Sequence, residues 1–206
     1  FIMAYNGSEI IDCQSGKIIF RRTLPEALVP QIAELGRELG MHLISYNDNE
    51  IVSERPEGEY VQKEAFCCRT KVRRVERIEE ALLQAPVKFI SADEPDFLRE
   101  VLPVFQERFG AEVNLFFSEP YFMEIVPREI EKAFGLSKIA EYLGIGREQI
   151  MAMGDGYNDV PMMRYAGLSV AMANGCEETK AAADHITCSN DEDGVAEAVK
   201  AYILER

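Results

Sequence analysis

Two aspartates and an asparagine lie close together where an apolar strand is predicted to pass into a helix. Asp155, Asn158 and Asp159 follow the apolar run 150–153 within a few positions. Because Asp155 and Asp159 are four residues apart, both carboxylates fall on one side of the first helical turn. Carboxylate oxygens so placed suit Mg²⁺, which takes one or two protein carboxylates and completes its shell with water and phosphate. The Asn158 amide can donate to a phosphate oxygen without adding charge.

The same residues could serve the helix alone. An aspartate near a helix N-terminus caps it and interacts favourably with the helix dipole, with no ligand required. The spacing by itself leaves both interpretations open. A calcium-binding EF-hand loop is excluded by counting, because the twelfth position must be a bidentate glutamate. That position is Ala166 when counted from Asp155, and Tyr202 when counted from Asp191.

Helices and strands are predicted to alternate regularly after Pro127. The predicted elements are a helix at 131–143, a strand at 150–153, a helix at 158–165, a strand at 168–172, a helix at 177–183, a strand at 185–188 and a helix at 194–204. This alternation with short links is typical of a parallel, doubly wound sheet. Ligands bind such sheets beyond the carboxyl ends of the strands, which is where Asp155 falls.

The upstream residues mix strands and helices as in an α+β unit. A hairpin is predicted at 9–20, a helix at 25–39, and a charged helical region that ends near Gln84. The predicted fold is therefore α/β, with a Rossmann-like parallel-sheet core and an inserted α+β domain. Residues 1–21 and 124–206 form the core, and residues 22–123 form the insertion.

Composition excludes several classes of partner. The chain has 206 residues, 22 Lys+Arg and 36 Asp+Glu, for a formal net charge of -14. A nucleic acid or an anionic membrane surface requires a basic footprint, so neither is expected as a partner. The five cysteines include no CxxC, and His42 and His185 lie far apart, which argues against structural zinc. An odd number of cysteines and an N-terminus that does not resemble a signal peptide are typical of cytoplasmic proteins.

Three stretches together resemble the Cof-type branch of the haloacid dehalogenase superfamily. They are MEIVPREIEKAFGLSKIAEYLGI from Met123, IMAMGDGYNDVPMMRYAG from Ile150, and VAMANGCEETKAAADHITCSNDEDGVAEAV from Val170. The resemblance implies that the inserted domain is a type IIB cap. It also implies a Mg²⁺-dependent phosphatase that works through an aspartyl-phosphate. The substrates it implies are small phosphorylated metabolites, such as a sugar phosphate or the phosphate of a flavin precursor.

The resemblance also assigns roles to four residues. Asp155 is the acidic ligand of Mg²⁺, and Asp159 is its partner in the first or second coordination shell. Asn158 contacts the phosphate. Lys132 is the catalytic lysine that pairs with the nucleophile and binds the substrate phosphate. The family usually has a small or polar residue before this lysine and glycine after it, whereas this chain has Glu131 and Ala133.

The nucleophile of the family comes from an Asp-x-Asp motif on the first strand, and this sequence has Asp-x-Asp only at Asp191–Asp193, before the last predicted helix. Residues 3–7 match the third core strand of the family. The resemblance therefore implies two further βα units upstream, on the order of 60 residues. We expect these residues alone not to turn over substrate. The alternative is a catalytically dead, shortened homologue that serves as a binding or regulatory module.

Overall fold

The structure is a computed structural model that describes residues 1–47 and 49–205. The chain divides into two compact units. The core unit joins Phe1–Phe20 to the chain from Glu131 onward, and the cap unit is Arg21–Ile130. The sequence-predicted boundary after residue 123 falls inside a strand, Phe122–Pro127, that pairs along its length with other strands of the cap unit. Residues 124–130 accordingly belong to the cap unit.

The elements are numbered along the chain. The strands are β1 (Ile2–Ala4), β2 (Glu9–Asp12), β3 (Lys17–Arg21), β4 (Leu43–Asn47), β5 (Glu50–Ser53), β6 (Lys71–Arg74), β7 (Phe89–Ala92), β8 (Val113–Glu119), β9 (Phe122–Pro127), β10 (Met151–Gly154), β11 (Leu168–Ala171) and β12 (His185–Ile186). The helices are α1 (Val29–Glu38), α2 (Glu59–Cys67), α3 (Ile78–Ala81), α4 (Pro95–Phe109), α5 (Lys132–Leu143), α6 (Val160–Tyr165), α7 (Glu177–Ala182) and α8 (Gly194–Val199). Short 3-10 turns lie at Tyr5–Gly7, Arg147–Gln149, Tyr157–Asp159 and Asn190–Glu192, and a π-helical turn at Lys200–Leu204 continues α8.

The described part of the core unit contains two three-stranded sheets. In one, β1 pairs antiparallel with β2, and β2 lies beside β3. In the other, β10, β11 and β12 are parallel, with Met151 opposite Leu168 and Val170 opposite His185. Helices α5, α6 and α7 connect or precede these parallel strands, as the predicted alternation requires. Helix α5 ends at Gly144, whose φ of 66° is the left-handed conformation that glycine adopts without strain.

The cap unit is one six-stranded sheet with helices on both faces. The strand order is β6-β5-β4-β7-β9-β8, and every pair is antiparallel except β5 with β6. Successive residues of a strand point to opposite faces. Leu43 and Phe89 therefore pack with α1 and α4, whereas Ile44 and Ile90 pack with α2. The cap thus has two hydrophobic cores, one on each side of its sheet.

The charged region that the sequence predicted as helical is not one helix. It contains α2, then strand β6, then the short helix α3. Strand β6 pairs in parallel with β5, and Lys71, Arg73 and Arg74 are exposed. Exposed basic side chains are typical of an edge strand, where they discourage pairing with other chains. These basic residues therefore belong to an edge strand and not to the exposed surface of a helix.

Candidate active site

Strand β10 carries Asp155 to the carboxyl end of the parallel sheet. The strand ends at Gly154, and Asp155 follows as an exposed residue. A Cβ at Gly154 would lie 2.4 Å from the Cβ of Asp159, so only glycine fits at the strand end. The chain then makes the 3-10 turn Tyr157–Asp159 and enters α6. Asp155 and Asp159 therefore belong to one tight loop.

Asp159 is the buried centre of this loop, with an exposed fraction of 4%. Its Oδ2 accepts hydrogen bonds from the backbone N–H groups of Asp155 at 2.9 Å and Gly156 at 3.0 Å. Its Oδ1 accepts a hydrogen bond from Nζ of Lys132. A buried carboxylate requires such partners. Both oxygens are thus used within the protein, and the loop conformation that presents Asp155 depends on Asp159.

Lys132 reaches the loop from the first turn of α5. Glu131 before it is extended and provides no side-chain cap. A positive charge at a helix N-terminus is unfavourable, and the ion pair with Asp159 offsets that effect. The Lys132 side chain keeps 26% of its surface exposed, so it can still meet an anion. The family resemblance paired Lys132 with the nucleophile and the phosphate, whereas the partner seen in the structure is Asp159.

Asn158 is held by a residue from the other end of the sequence. Its Nδ2 donates a hydrogen bond of 2.9 Å to Oδ1 of Asn6. Asn6 lies in the 3-10 turn after β1 with φ 56°, and Gly7 follows with φ 100°. A Cβ at Gly7 would lie 3.0 Å from the carbonyl oxygen of Glu131, so the turn packs directly on the start of α5. In the sequence Asn6 is followed directly by Gly7, and an Asn-Gly pair is a signal for a tight turn. The pair gives no indication of a contact with Asn158.

The loop before α7 supports the Asp155 loop from the side. The N–H of Cys176 donates to the carbonyl oxygen of Asp155 at 2.9 Å. The hydroxyl of Thr179, which is fully buried, donates to the carbonyl oxygen of Gly156 at 2.8 Å. Two consecutive carbonyl groups are therefore fixed by the N-cap residue and the first turn of α7. No motif in the sequence pointed to Thr179.

Asp184 fixes the connection between α7 and β12. Oδ2 of Asp184 accepts hydrogen bonds from the hydroxyl of Ser169 at 2.8 Å and from its N–H at 2.9 Å. The hydroxyl contact, followed by the N–H contact, lowers the pKa of Asp184 below the usual 3.8. This pair ties the residue before β12 to strand β11.

The residues fit a Mg²⁺ ion that is bound partly by the protein and partly by a phosphate. They fit less well to a metal ion that is bound by protein side chains alone. Among residues 1–47 and 49–205, no three His, Cys, Asp or Glu side chains are grouped so that they could hold a metal ion. Within the same residues, the Asp155 carboxylate forms no ion pair or side-chain hydrogen bond. Mg²⁺ commonly binds through one or two carboxylates and keeps water and phosphate as its other ligands. One exposed, unpaired carboxylate at a strand end matches that pattern.

A sequence model of the haloacid dehalogenase-like hydrolases matches residues 1–199. The chain belongs to the haloacid dehalogenase-like hydrolases. The match extends over nearly all of the core unit and the whole of the cap unit. The family predicted from the three sequence stretches is therefore confirmed.

Solved structures and a curated relative agree with this assignment. A haloacid dehalogenase-like hydrolase from Bacteroides thetaiotaomicron is 40% identical with a TM-score of 0.87, over 96% of this chain and 74% of that one. A subclass IIB sugar phosphatase is 27% identical with a TM-score of 0.80, over 96% and 73%. The 5-amino-6-(5-phospho-D-ribitylamino)uracil phosphatase YcsE of Bacillus subtilis is 41% identical over 112 residues, which are 54% of this chain and 44% of that protein.

These likenesses confirm the predicted fold class of the haloacid dehalogenase-like chain, a parallel-sheet core with an inserted α+β cap. They also confirm the prediction of a phosphatase or related hydrolase of this superfamily. Among the described helices, none has both the length and the apolar character needed to cross a membrane. The individual roles of Asp155, Asn158, Asp159 and Lys132 stay predictions.

Proposed function

We propose that the chain provides the metal-binding and phosphate-binding residues of a Mg²⁺-dependent phosphatase for small phosphorylated metabolites. The observation that carries the proposal is the Asp155 loop. The exposed carboxylate of Asp155, which has no partner among residues 1–47 and 49–205, lies on a backbone fixed by Asp159. Asp159 also binds Lys132. A metal ligand and an ammonium group thus belong to one rigid arrangement.

Each residue has a distinct part in this proposal. Asp155 binds Mg²⁺ directly, and the ion, when bound, neutralises charge on the phosphate. Asp159 acts from the second coordination shell, because the backbone N–H groups and Lys132 already engage both of its oxygens. Lys132 supplies a compact positive charge to the phosphate oxygens. Asn158 donates a hydrogen bond to the phosphate without adding charge.

The substrate class is a small phosphate ester. The net charge of -14 opposes a polyanionic substrate such as nucleic acid. Two relatives support small molecules, because one is named as a sugar phosphatase and another as a 5-amino-6-(5-phospho-D-ribitylamino)uracil phosphatase. We propose a phosphorylated sugar or sugar-like metabolite on this basis.

Turnover by these 206 residues alone is not part of the proposal. The family's reaction needs an aspartate nucleophile from an Asp-x-Asp motif, which attacks phosphorus before water releases the phosphate. Here the motif occurs only as Asp191–Asp193, and both of its aspartates are exposed on the turn before α8. We propose that neither is the nucleophile, so the chain binds Mg²⁺ and phosphate without hydrolysing esters.

An NMR titration tests the proposal. Adding Mg²⁺ and inorganic phosphate to the ¹⁵N-labelled chain should shift the amide signals of residues 154–159 together. Asp155→Ala should abolish that response, whereas Asp191→Ala, a matched loss of an exposed carboxylate, should preserve it. An unchanged response in Asp155→Ala would contradict the proposed ligand. Metal-dependent release of phosphate from an aryl phosphate by the chain would contradict the absence of a nucleophile.

A further inference from the structure

Asn6 lies beside Asn158 in the core unit, and the proposed function gives it no role. It is half-buried, in the turn that follows β1. Its side-chain oxygen accepts the 2.9 Å hydrogen bond from Nδ2 of Asn158. These two residues are 152 positions apart in the sequence, so the contact exists only because the fold brings the turn and the loop together.

This hydrogen bond determines which end of the Asn158 amide faces which group. An asparagine amide carries two N–H donors on nitrogen and an acceptor oxygen. A carbonyl oxygen on Asn6 can be satisfied only by the NH₂ end of Asn158. One donor is then used, and the second stays available to an anion. An amide without this partner could rotate and present its oxygen, which a phosphate repels.

The turn that carries Asn6 is itself fixed to the helix of Lys132. Tyr5 and Asn6 have φ of 52° and 56°, and Gly7 has φ of 100°. A Cβ at Gly7 would lie 3.0 Å from the Glu131 carbonyl oxygen and 3.0 Å from the Gly135 Cα. The backbone of the turn therefore touches the backbone of α5 with no space for a side chain between them.

Two separate requirements meet at position 6. The left-handed backbone is adopted with the least strain by glycine, asparagine or aspartate. A carbonyl oxygen at the right distance from the backbone is supplied by asparagine or aspartate only. Asparagine meets both requirements and stays neutral. An aspartate would place a negative charge beside the proposed phosphate contact.

We infer that Asn6 is a positioning residue, which holds the Asn158 amide with its NH₂ group turned to the phosphate and links that amide to the start of the Lys132 helix. The inference rests on the proposed role of Asn158 as a phosphate contact. It assigns Asn6 no direct part in the chemistry. Its effect on phosphate binding must therefore act through Asn158.

A double-mutant cycle tests this dependence. Asn6→Gly retains the left-handed turn and removes the carbonyl oxygen. In the presence of Mg²⁺, this variant should bind inorganic phosphate about 10-fold more weakly than the unchanged chain, equivalent to about 1.4 kcal/mol. In an Asn158→Ala background, the same substitution should have no further effect. An equal loss in both backgrounds, or no loss in either, would overturn the inference.

The side-chain amide of Asn158 gives a second readout that needs no phosphate. Its two N–H signals should differ in the unchanged chain, because one donates to Asn6. Asn6→Asp keeps the acceptor and should preserve that difference, whereas Asn6→Gly should reduce it. A difference that is lost in Asn6→Asp, or kept in Asn6→Gly, also overturns the inference.

Two comparisons separate the possible failures. Arg69→Gly replaces another left-handed residue, with φ 50°, exposed in the cap unit, and should leave phosphate binding unchanged. If the unchanged chain does not bind phosphate with Mg²⁺, the proposed function fails, whatever the amide signals report. If it binds and the cycle shows no coupling, only the role of Asn6 fails.

Discussion

The ammonium group of Lys132 and the backbone of the Asp155 loop bind opposite oxygens of the same Asp159 carboxylate. One buried carboxylate therefore connects helix α5 to the loop that follows β10. Any change in the charge of Asp159 must affect both the ion pair and the loop. The Lys132–Asp159 pair is for this reason the most informative place to test stability and ligand binding together.

Asp159→Asn should destabilise the core unit. The substitution retains the shape of the side chain but removes the charge that balances Lys132. We expect the free energy of unfolding to fall by about 2–3 kcal/mol, because breaking a buried ion pair leaves one partner unbalanced. Urea denaturation measures this loss. Glu141→Gln breaks the exposed pair of Glu141 with Lys138 on the same helix and should cost much less than Asp159→Asn, because solvent screens an exposed pair. Equal losses in the two variants would contradict a structural role for Asp159.

Thr179→Val should weaken the response to Mg²⁺. Valine has nearly the same shape as threonine but leaves the carbonyl oxygen of Gly156 without its 2.8 Å hydrogen bond. We expect a stability loss of about 1–2 kcal/mol and weaker amide shifts around Asp155 on adding Mg²⁺.

Thr187→Val is the matched control for this prediction. Its hydroxyl donates to another glycine carbonyl, that of Gly194, at 2.7 Å. It should lose similar stability while keeping the response of the Asp155 loop to Mg²⁺. Equal weakening of that response in both variants would mean that the effect is general and does not depend on the contact with Gly156.

Removing only one partner of the buried ion pair in the cap unit should strongly destabilise the folded state. Nζ of Lys88 lies 3.0 Å from Oε2 of Glu124, with side chains 9% and 4% exposed, and Ser118 donates to the other oxygen at 2.9 Å. Lys88→Met should lower the free energy of unfolding by about 3–5 kcal/mol, because the Glu124 charge stays buried without its partner. The double variant Lys88→Met/Glu124→Leu should recover part of this loss in urea denaturation. A double variant no more stable than the single one would refute this interpretation.

The contact between Asp184 and Ser169 should give an acid-dependent contribution to stability. The lowered pKa of Asp184 means that the folded state favours the ionised carboxylate. This contribution is fully present above the ordinary pKa of 3.8 and disappears as the pH falls through the lower folded-state value. Ser169→Ala removes the hydroxyl contact, so its stability deficit should shrink on acidification. Urea unfolding along a series from neutral to strongly acidic pH measures this deficit, and a constant deficit would contradict the assignment.

Local patterns predicted the parts of the structure that depend on local sequence. The alternation of β10, β11 and β12 with helices was readable because each element has its own hydrophobic periodicity. The Asp155 loop was readable because its glycines and acidic residues are contiguous. The charged run around Lys71–Arg74 was misread because an edge strand and an exposed helix can have the same composition.

Long-range partners could not be predicted in this way. The contact between Asn6 and Asn158, and the packing of Gly7 on Gly135, join residues that no periodic pattern connects. Thr179 has a role only because α7 begins beside Gly156. The sequence located most of the residues proposed for the site, whereas the structure was needed to identify what holds each of them in place.

The discontinuous core unit also constrains the order of events during protein synthesis. Residues 1–20 leave the ribosome before Arg21–Ile130, yet their packing partners lie after Glu131. The cap unit is continuous and can fold as soon as it emerges, while residues 1–20 must wait for their partners in the later part of the core unit. Such waiting segments are the natural targets of chaperones and a source of aggregation. The Asn6–Asn158 contact can therefore form only after the cap unit has been synthesised.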